Sequence, residues 1–71
     1  MDTIDVRGLS CPIPVLKTQK ALAKSSGELE VIGSGNVSKE NVTKFALSQG
    51  CQVNFSTENP DEWTMQITKP K

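Results

Sequence analysis

The apolar positions of this chain repeat in two periods, and runs of Gly, Ser, Asn and Pro divide it into six segments. Alternation of apolar with polar residues is typical of half-buried strands and predicts strands at residues 3–6 and 28–32. Two further strands are predicted, with the inward residues Cys51, Val53 and Phe55 in the first and Trp63, Met65 and Ile67 in the second. The polar loop between them, residues 57–62, predicts an antiparallel hairpin.

Two segments have the three- and four-residue spacing of an amphipathic helix. The first, residues 12–24, begins with two prolines, where missing N–H groups cost little, and ends at a Ser-Ser-Gly sequence. Its predicted inward residues are Val15, Leu16, Leu22 and Ala23. The second helix is predicted to begin with Ser38 as its N-cap and to end at Gly50, where a left-handed residue is expected. Its predicted inward residues are Val42, Phe45 and Ala46.

The order β-α-β-α-β-β predicts an α/β (α+β) two-layer sandwich. Two helices would pack on one face of a four-stranded mixed sheet, because this arrangement buries all the apolar faces together. The opposite sheet face would carry the polar residues Gln52, Asn54, Thr64, Gln66 and Thr68. Seventy-one residues suffice for one hydrophobic core, so residues 1–71 are expected to form a single domain.

Composition and charge exclude several classes of function. Eight basic and eight acidic residues balance, so no overall field attracts nucleic acid or an anionic membrane. The chain has no His and no Tyr, which removes the usual general acids and bases near neutral pH. Two cysteines are too few for a disulfide framework or a zinc site, so we expect no metal and no cofactor. No apolar run approaches the ~20 residues of a membrane span and no signal peptide is evident, so the expected location is the cytoplasm.

The segment Asp5-Val-Arg-Gly-Leu-Ser-Cys-Pro-Ile-Pro14 contains the residue best suited to chemistry. Gly8 allows a sharp turn after the first strand. Cys11 then falls at or next to the N-cap of the first helix, where unpaired N–H groups and the helix dipole stabilise a thiolate. Pro12 and Pro14 restrict the first turn, so the sulfur is presented to solvent. A thiolate can attack a sulfane sulfur without an acid–base pair. The alternative is that Cys11 only caps the helix, although Cys is a poor cap.

The run Asp5-x-Arg7-Gly8-Leu9-x-Cys11-Pro12-x-Pro14-Val15, continued by Thr18 and Ala21-Leu22, resembles the signature of the TusA/SirA/YedF family of small sulfur-carrier proteins. The resemblance covers essentially the whole chain, including the order of its elements. It implies that Cys11 accepts persulfide sulfur from a cysteine desulfurase or another sulfur-donor protein and relays it to a downstream acceptor. The residues that would support the motif are Asp5, Arg7, Gly8, Pro12 and Pro14.

Residues 36–50 are more similar to the YedF branch of that family, which is linked to selenium metabolism. A selenium-metabolism carrier or a regulatory domain of YedF type, with the same Cys11 chemistry, is therefore an alternative function. An RNA-binding or protein-interaction module is the alternative from another class, because the family shares its fold with the C-terminal domain of translation initiation factor 3. Balanced charge and few aromatic residues argue against direct nucleic-acid binding. Whether the protein is an enzyme stays open, since a sulfurtransferase-like carrier of this kind lacks acid–base catalytic residues.

Several residues near the motif have both a structural and a functional interpretation. Asp5 and Arg7 form either an ion pair that orients the site or two solvated charges. Ile13 is either an exposed contact for a partner protein or packing at the edge of the core. A basic ridge on the first helix is either a docking surface for an acidic partner or a solvated face, and it consists of Lys17, Lys20 and Lys24.

Cys51 and Trp63 are predicted to be structural. Cys51 shares a strand face with apolar residues, which favours a buried position over a second redox thiol. A redox pair of Cys11 and Cys51 would also lack the close C-x-x-C spacing. Trp63 is predicted to fill the core, because a single aromatic residue does not make a stacking platform for nucleic acid.

Overall fold

A computed structural model describes residues 2–9, 12–25, 27–59 and 61–70 of the chain. Its elements are β1 (Asp2–Asp5), α1 (Ile13–Lys24), β2 (Glu28–Gly33), α2 (Asn36–Ser48), β3 (Gln52–Glu58) and β4 (Trp63–Thr68). This order is the predicted one, and the predicted α+β fold with a four-stranded mixed sheet and two helices is confirmed.

The strands of the sheet are ordered β1-β2-β4-β3. β1 and β2 are parallel, whereas β4 runs antiparallel to both β2 and β3, which confirms the predicted β3–β4 hairpin. Met65 of β4 lies opposite Val31 on one side and Phe55 on the other. Because β1 and β2 are parallel neighbours and each leads into a helix, the N-termini of α1 and α2 lie at the same edge of the sheet.

The core lies between the sheet and the two helices. Its fully buried sheet residues are Leu29, Val31, Trp63, Met65 and Ile67, and the helices contribute Leu22, Val42 and Ala46. These sheet residues follow the predicted alternation, because every second side chain of a strand faces the helices. The predictions that Trp63 and Cys51 are buried are confirmed, with 0% and 5% of their surfaces exposed.

The inward face of α1 differs from the predicted one. Leu16 and Ala23 were expected to face the core, but both are exposed, and the buried residues of α1 are Pro14, Thr18 and Leu22. The Thr18 hydroxyl donates a hydrogen bond to the Pro14 carbonyl oxygen at 2.8 Å. A polar residue can therefore occupy the buried face without an unpaired group. Leu16 and Ala23, two helical turns apart, lie on the exposed side of α1.

The start of α2 also differs from the prediction. The helix begins at Asn36 with Gly35 as its N-cap, so Ser38 is a buried residue of the first turn and not the cap. The Trp63 indole N–H donates to the Gly35 carbonyl oxygen at 3.0 Å, which ties this turn to β4. Gly50 follows the C-cap residue Gln49 and has φ of +80°, as predicted for the C-terminal end of the helix.

Both helices are short. α1 has 12 residues and α2 has 13, and each buries one face against the sheet. Within the described part of the chain, neither helix is long and apolar enough to cross a membrane.

Candidate functional site

The candidate site is the connection between β1 and α1. Cys11, the predicted reactive residue, lies outside the described residues together with Ser10. The chain on its N-terminal side is anchored: the N–H of buried Val6 donates to the Ile32 carbonyl oxygen at 2.7 Å. The Leu9 N–H then donates back to the Val6 carbonyl oxygen at 3.3 Å. The chain therefore turns tightly before it reaches residue 10.

Gly8 connects this turn to the neighbouring loop. Its φ of +75° lies in the left-handed region, which favours glycine, and its N–H donates to the Ser34 hydroxyl oxygen at 3.1 Å. Ser34 follows β2 and precedes α2, so the two loops that lead into the helices touch each other. As far as the described residues show, neither helix has an acidic residue in its first turn or a side-chain hydrogen bond at its N-cap. The positive ends of both helix dipoles at this edge are thus available to stabilise an anion.

Asp5 and Arg7 form an ion pair, and the predicted role of this pair in orienting the site stays a prediction. The Arg7 main-chain N–H and Nε each donate to Asp5 Oδ1 at 3.0 Å, and Nη2 lies 2.7 Å from Oδ2. On its other side, Arg7 Nη1 lies 3.7 Å from the Glu62 carboxylate, next to β4. Arg7 therefore connects the turn after β1 to the loop of the β3–β4 hairpin.

These contacts shift the pKa values of both groups. Hydrogen bonds from the Arg7 side chain, and then from its main chain, lower the pKa of Asp5 from 3.8 to about 2. The same partner raises the pKa of Arg7 above its ordinary value. Both side chains are 49% exposed, so solvent screens their attraction and the pair contributes mainly to local geometry.

The two prolines of the motif frame the first turn of α1. The sequence predicts Pro12 as the first residue of the helix, but in the structure Pro12 is the N-cap and the helix begins at Ile13. The Pro12 carbonyl oxygen accepts a hydrogen bond from the Leu16 N–H at 3.1 Å. Pro14 is buried in the first turn. Cys11 thus immediately precedes the N-cap residue in the sequence.

Two apolar side chains on α1 are exposed close to this helix start. Ile13 is 41% exposed and Leu16 is 50% exposed, and a spacing of three residues puts them on one helix face. The exposure of Ile13 fits its interpretation as a surface residue, whereas Leu16 was missed because it was assigned to the core. The signal available in the sequence was its spacing from Ile13. Val37, in the first turn of α2, is a further exposed apolar residue that the sequence reasoning missed.

Lys17 and Lys20 lie further along α1, with Lys24, in a groove that the helix forms with β1. Lys17 is near enough to Asp5 to contribute to the lowering of its pKa. Among the described residues, no group of three or more His, Cys, Asp or Glu side chains is arranged to hold a metal ion.

Comparisons with known proteins give matches over almost the whole chain. Residues 2–69 match the family model described as Sulfurtransferase TusA. The chain is 39% identical over 71 residues to a candidate sulfur carrier protein of Methanocaldococcus jannaschii, covering 97% of this chain and 95% of that protein. It is 35% identical over 68 residues to the sulfur carrier protein TusA of Allochromatium vinosum, covering 93% of this chain and 90% of that protein.

The fold also has a solved counterpart. The crystal structure of a SirA-like protein from Desulfitobacterium hafniense is similar with a TM-score of 0.86 and 31% sequence identity. The similarity covers 100% of both chains. The two-layer architecture described above is therefore that of an experimentally determined structure.

Proposed function

The chain belongs to the TusA family, and from this premise we propose that it carries sulfur as a persulfide on Cys11 between a donor protein and an acceptor protein. The resemblance to TusA and SirA proteins that the motif indicated is confirmed, whereas the closer similarity to the YedF branch stays a prediction. The observation that carries the proposal is the anchored turn before residue 10, at the sheet edge where both helices begin. A thiolate at such an edge is stabilised by the helix dipoles.

The chemistry consists of two displacements that need no oxidant. In the first, the Cys11 thiolate attacks the outer sulfur of a persulfide on the donor, the donor's S–S bond breaks, and the donor cysteine leaves as a thiolate. In the second, a nucleophilic thiolate of the acceptor attacks the outer sulfur on Cys11, and Cys11 leaves as a thiolate. A lowered pKa assists both steps, because it raises the thiolate fraction before attack and makes Cys11 a better leaving group afterwards.

The remaining residues of the motif act by positioning in this proposal. The pair of Asp5 and Arg7 holds the turn after β1, Gly8 supplies its left-handed conformation, and the prolines restrict the helix start. In the connection between β1 and α1, Cys11 is the residue that reacts, and the other residues of the motif position it. We further propose that the protein is located in the cytoplasm and that residues 1–71 form one domain.

The partner proteins would contact the surface of α1. Ile13 is exposed beside the helix start and suits an apolar contact with a donor or acceptor. Lys17 and Lys20 lie one and two turns further on and suit acidic groups of the partner. A sulfur-donor protein such as a cysteine desulfurase and a separate acceptor are the partners that the two-step chemistry requires.

Intact-protein mass spectrometry tests the proposal after incubation with a cysteine desulfurase and cysteine. We expect the mass of the chain to increase by one or more sulfur atoms, and the increase to disappear after reduction. Cys11→Ser should abolish this adduct, and Cys51→Ser is the matched control that should retain it. Sulfur on Cys51, or no adduct on the folded protein, would contradict the proposal.

A further inference from the structure

A groove beside the candidate site lies between the edge strand β1 and the basic residues of α1. It has a volume of about 420 Å³ and is open to solvent. One wall is the edge strand β1 with Ile4 and Asp5, and the other is α1. The residues that α1 contributes are Lys17, Lys20, Ala21 and Lys24. The groove thus combines two apolar side chains, Ile4 and Ala21, with three cations along one side.

None of the three lysines of this groove forms an ion pair with another described residue. The ion pairs found among the described residues involve only Arg7 and Lys39 as the basic partners. Asp5 is the acidic residue of the groove, but its carboxylate is held by Arg7 at 2.7 Å. The groove therefore favours an anionic occupant.

The open edge of β1 supplies a second kind of binding group. Among the described strands, β1 pairs only with β2, and the Val6 N–H directly after it bonds to the Ile32 carbonyl oxygen. Since the main-chain groups of a strand alternate in direction, those of Thr3 and Asp5 point away from β2. No main-chain partner on that side is found among the described residues, and free N–H and C=O groups of an edge strand are a template for an additional strand.

The opposite edge of the sheet lacks this combination. The groove beside β3 contains Lys39 and Lys44, but also Glu40 and Glu58. Lys39 is paired with Glu58 at 3.1 Å, and the two signs of charge balance. An anionic strand is therefore favoured at β1 and not at β3.

We propose that the groove between β1 and α1 binds an extended acidic segment of a partner protein, which adds as a strand to β1. Its alternate carboxylates would face the three lysines. Lys17 and Lys24 are separated by about 10 Å along the helix, and side chains on one side of a strand are about 6.6 Å apart, so two or three alternate acidic residues match the ridge. That this partner is a sulfur donor or acceptor rests on the proposed function, but binding of the acidic segment does not.

Fluorescence anisotropy with a labelled peptide of alternating Glu and Val tests the proposal on the full chain carrying Cys11→Ser, which excludes sulfur chemistry. We expect saturable binding that weakens with salt, and no binding of a matched peptide of alternating Lys and Val. Changing all three lysines to Glu should weaken binding by about tenfold or more, as expected for the loss and reversal of several charge pairs. Lys20→Glu should weaken binding more than its control Lys44→Glu on the other groove.

Main-chain pairing is tested with two N-methylated forms of the same Glu-Val peptide, one methylated at the Glu residues and the other at the Val residues. Each form lacks the N–H donors along one edge of the extended peptide. We expect binding to be lost for the form whose methylated edge faces β1 and to be kept for the other form. Unchanged binding of both alternately methylated peptides, or of the triple variant with native circular dichroism, would overturn the proposal. Equally tight binding of a single-stranded oligonucleotide would also overturn it. Persulfide loading of Cys11 in the triple variant with its native Cys11 is measured separately, so failure of the groove and failure of the carrier function are distinguished.

Discussion

Arg7 donates hydrogen bonds to Asp5 from both its main chain and its guanidinium, so two residues only two positions apart close the turn that follows β1. The guanidinium also reaches toward Glu62 in the loop of the hairpin. A small side-chain cluster thus holds the turn in which the chain leaves β1.

The first prediction concerns the pKa of Asp5. Arg7→Lys keeps the charge but loses the planar, two-pronged hydrogen bonding, so the pKa of Asp5 should rise from about 2 toward 3.8. A lowered carboxyl pKa stabilises the folded state above the unfolded pKa, and this contribution is lost as pH falls from about 3.8 to about 2. NMR titration of the Asp5 carboxyl carbon measures the shift. Lys24→Gln is the control, and an unchanged Asp5 pKa in Arg7→Lys would disprove the role of the pair.

The second prediction is that Cys11 reacts faster with an alkylating reagent than Cys51 at neutral pH. Cys51 is only 5% exposed, whereas Cys11 directly precedes the α1 N-cap in the sequence. The rate of Cys11 should reach half its maximum at a pH below the ~8.5 of a free thiol. Single-cysteine variants, Cys51→Ser and Cys11→Ser, allow each rate to be followed against pH. Equal rates with midpoints near 8.5 would refute the prediction.

The third prediction is that Pro12 serves the site more than the stability of the fold. As the N-cap it provides a carbonyl oxygen for the Leu16 N–H, and Ala would keep that bond. Pro12→Ala should change the free energy of unfolding by no more than about 1 kcal/mol, but it should slow sulfur acceptance by Cys11. Urea unfolding and the loading rate are the two measurements. Global unfolding of the variant would mean that the proline is structural.

The fourth prediction concerns the contact of Gly33 with Trp63. A Cβ added at Gly33 would lie 2.7 Å from Trp63 Cε2 and nearer still to other ring atoms, and the ring is fully buried. Gly33→Ala should therefore destabilise the fold by about 1–3 kcal/mol through overpacking. Gly27→Ala is the matched control, because nothing lies within 4 Å of its added Cβ. Similar unfolding midpoints for the two variants would contradict this explanation.

The fifth prediction is that Cys51 is needed for packing and not for sulfur transfer. Cys51→Ala should cost about 1–2 kcal/mol for a small cavity. Cys51→Ser should cost at least as much, since it buries a hydroxyl without an assured partner. Persulfide loading of Cys11 should be unchanged in both variants. If loading is abolished while the unfolding free energy stays the same, the single-cysteine relay must be replaced by a two-thiol mechanism.

Much of the fold and the core of the candidate site followed from local pattern. The strands were predictable because one sheet face packs on helices, which makes every second residue apolar, as at Trp63, Met65 and Ile67. The candidate site was located in the sequence because a turn-forming glycine and two prolines restrict the chain on either side of Cys11, and the role of Cys11 stays a prediction. These features depend on neighbours in the chain, so the sequence by itself determined them.

Only the tertiary structure decided which side of α1 faces the core, where α2 begins and what surrounds the turn after β1. Thr18 can be buried while Leu16 is exposed, because the Thr18 hydroxyl donates a hydrogen bond to the Pro14 carbonyl oxygen. Hydropathy takes no account of such a bond. α2 begins at Asn36, where the indole of Trp63 from a distant strand holds the preceding residue. The contacts of the turn with Ser34 and Glu62 likewise join residues far apart in sequence. Long-range hydrogen bonds and packing select among several locally acceptable helix phases and boundaries, and periodicity alone does not distinguish them.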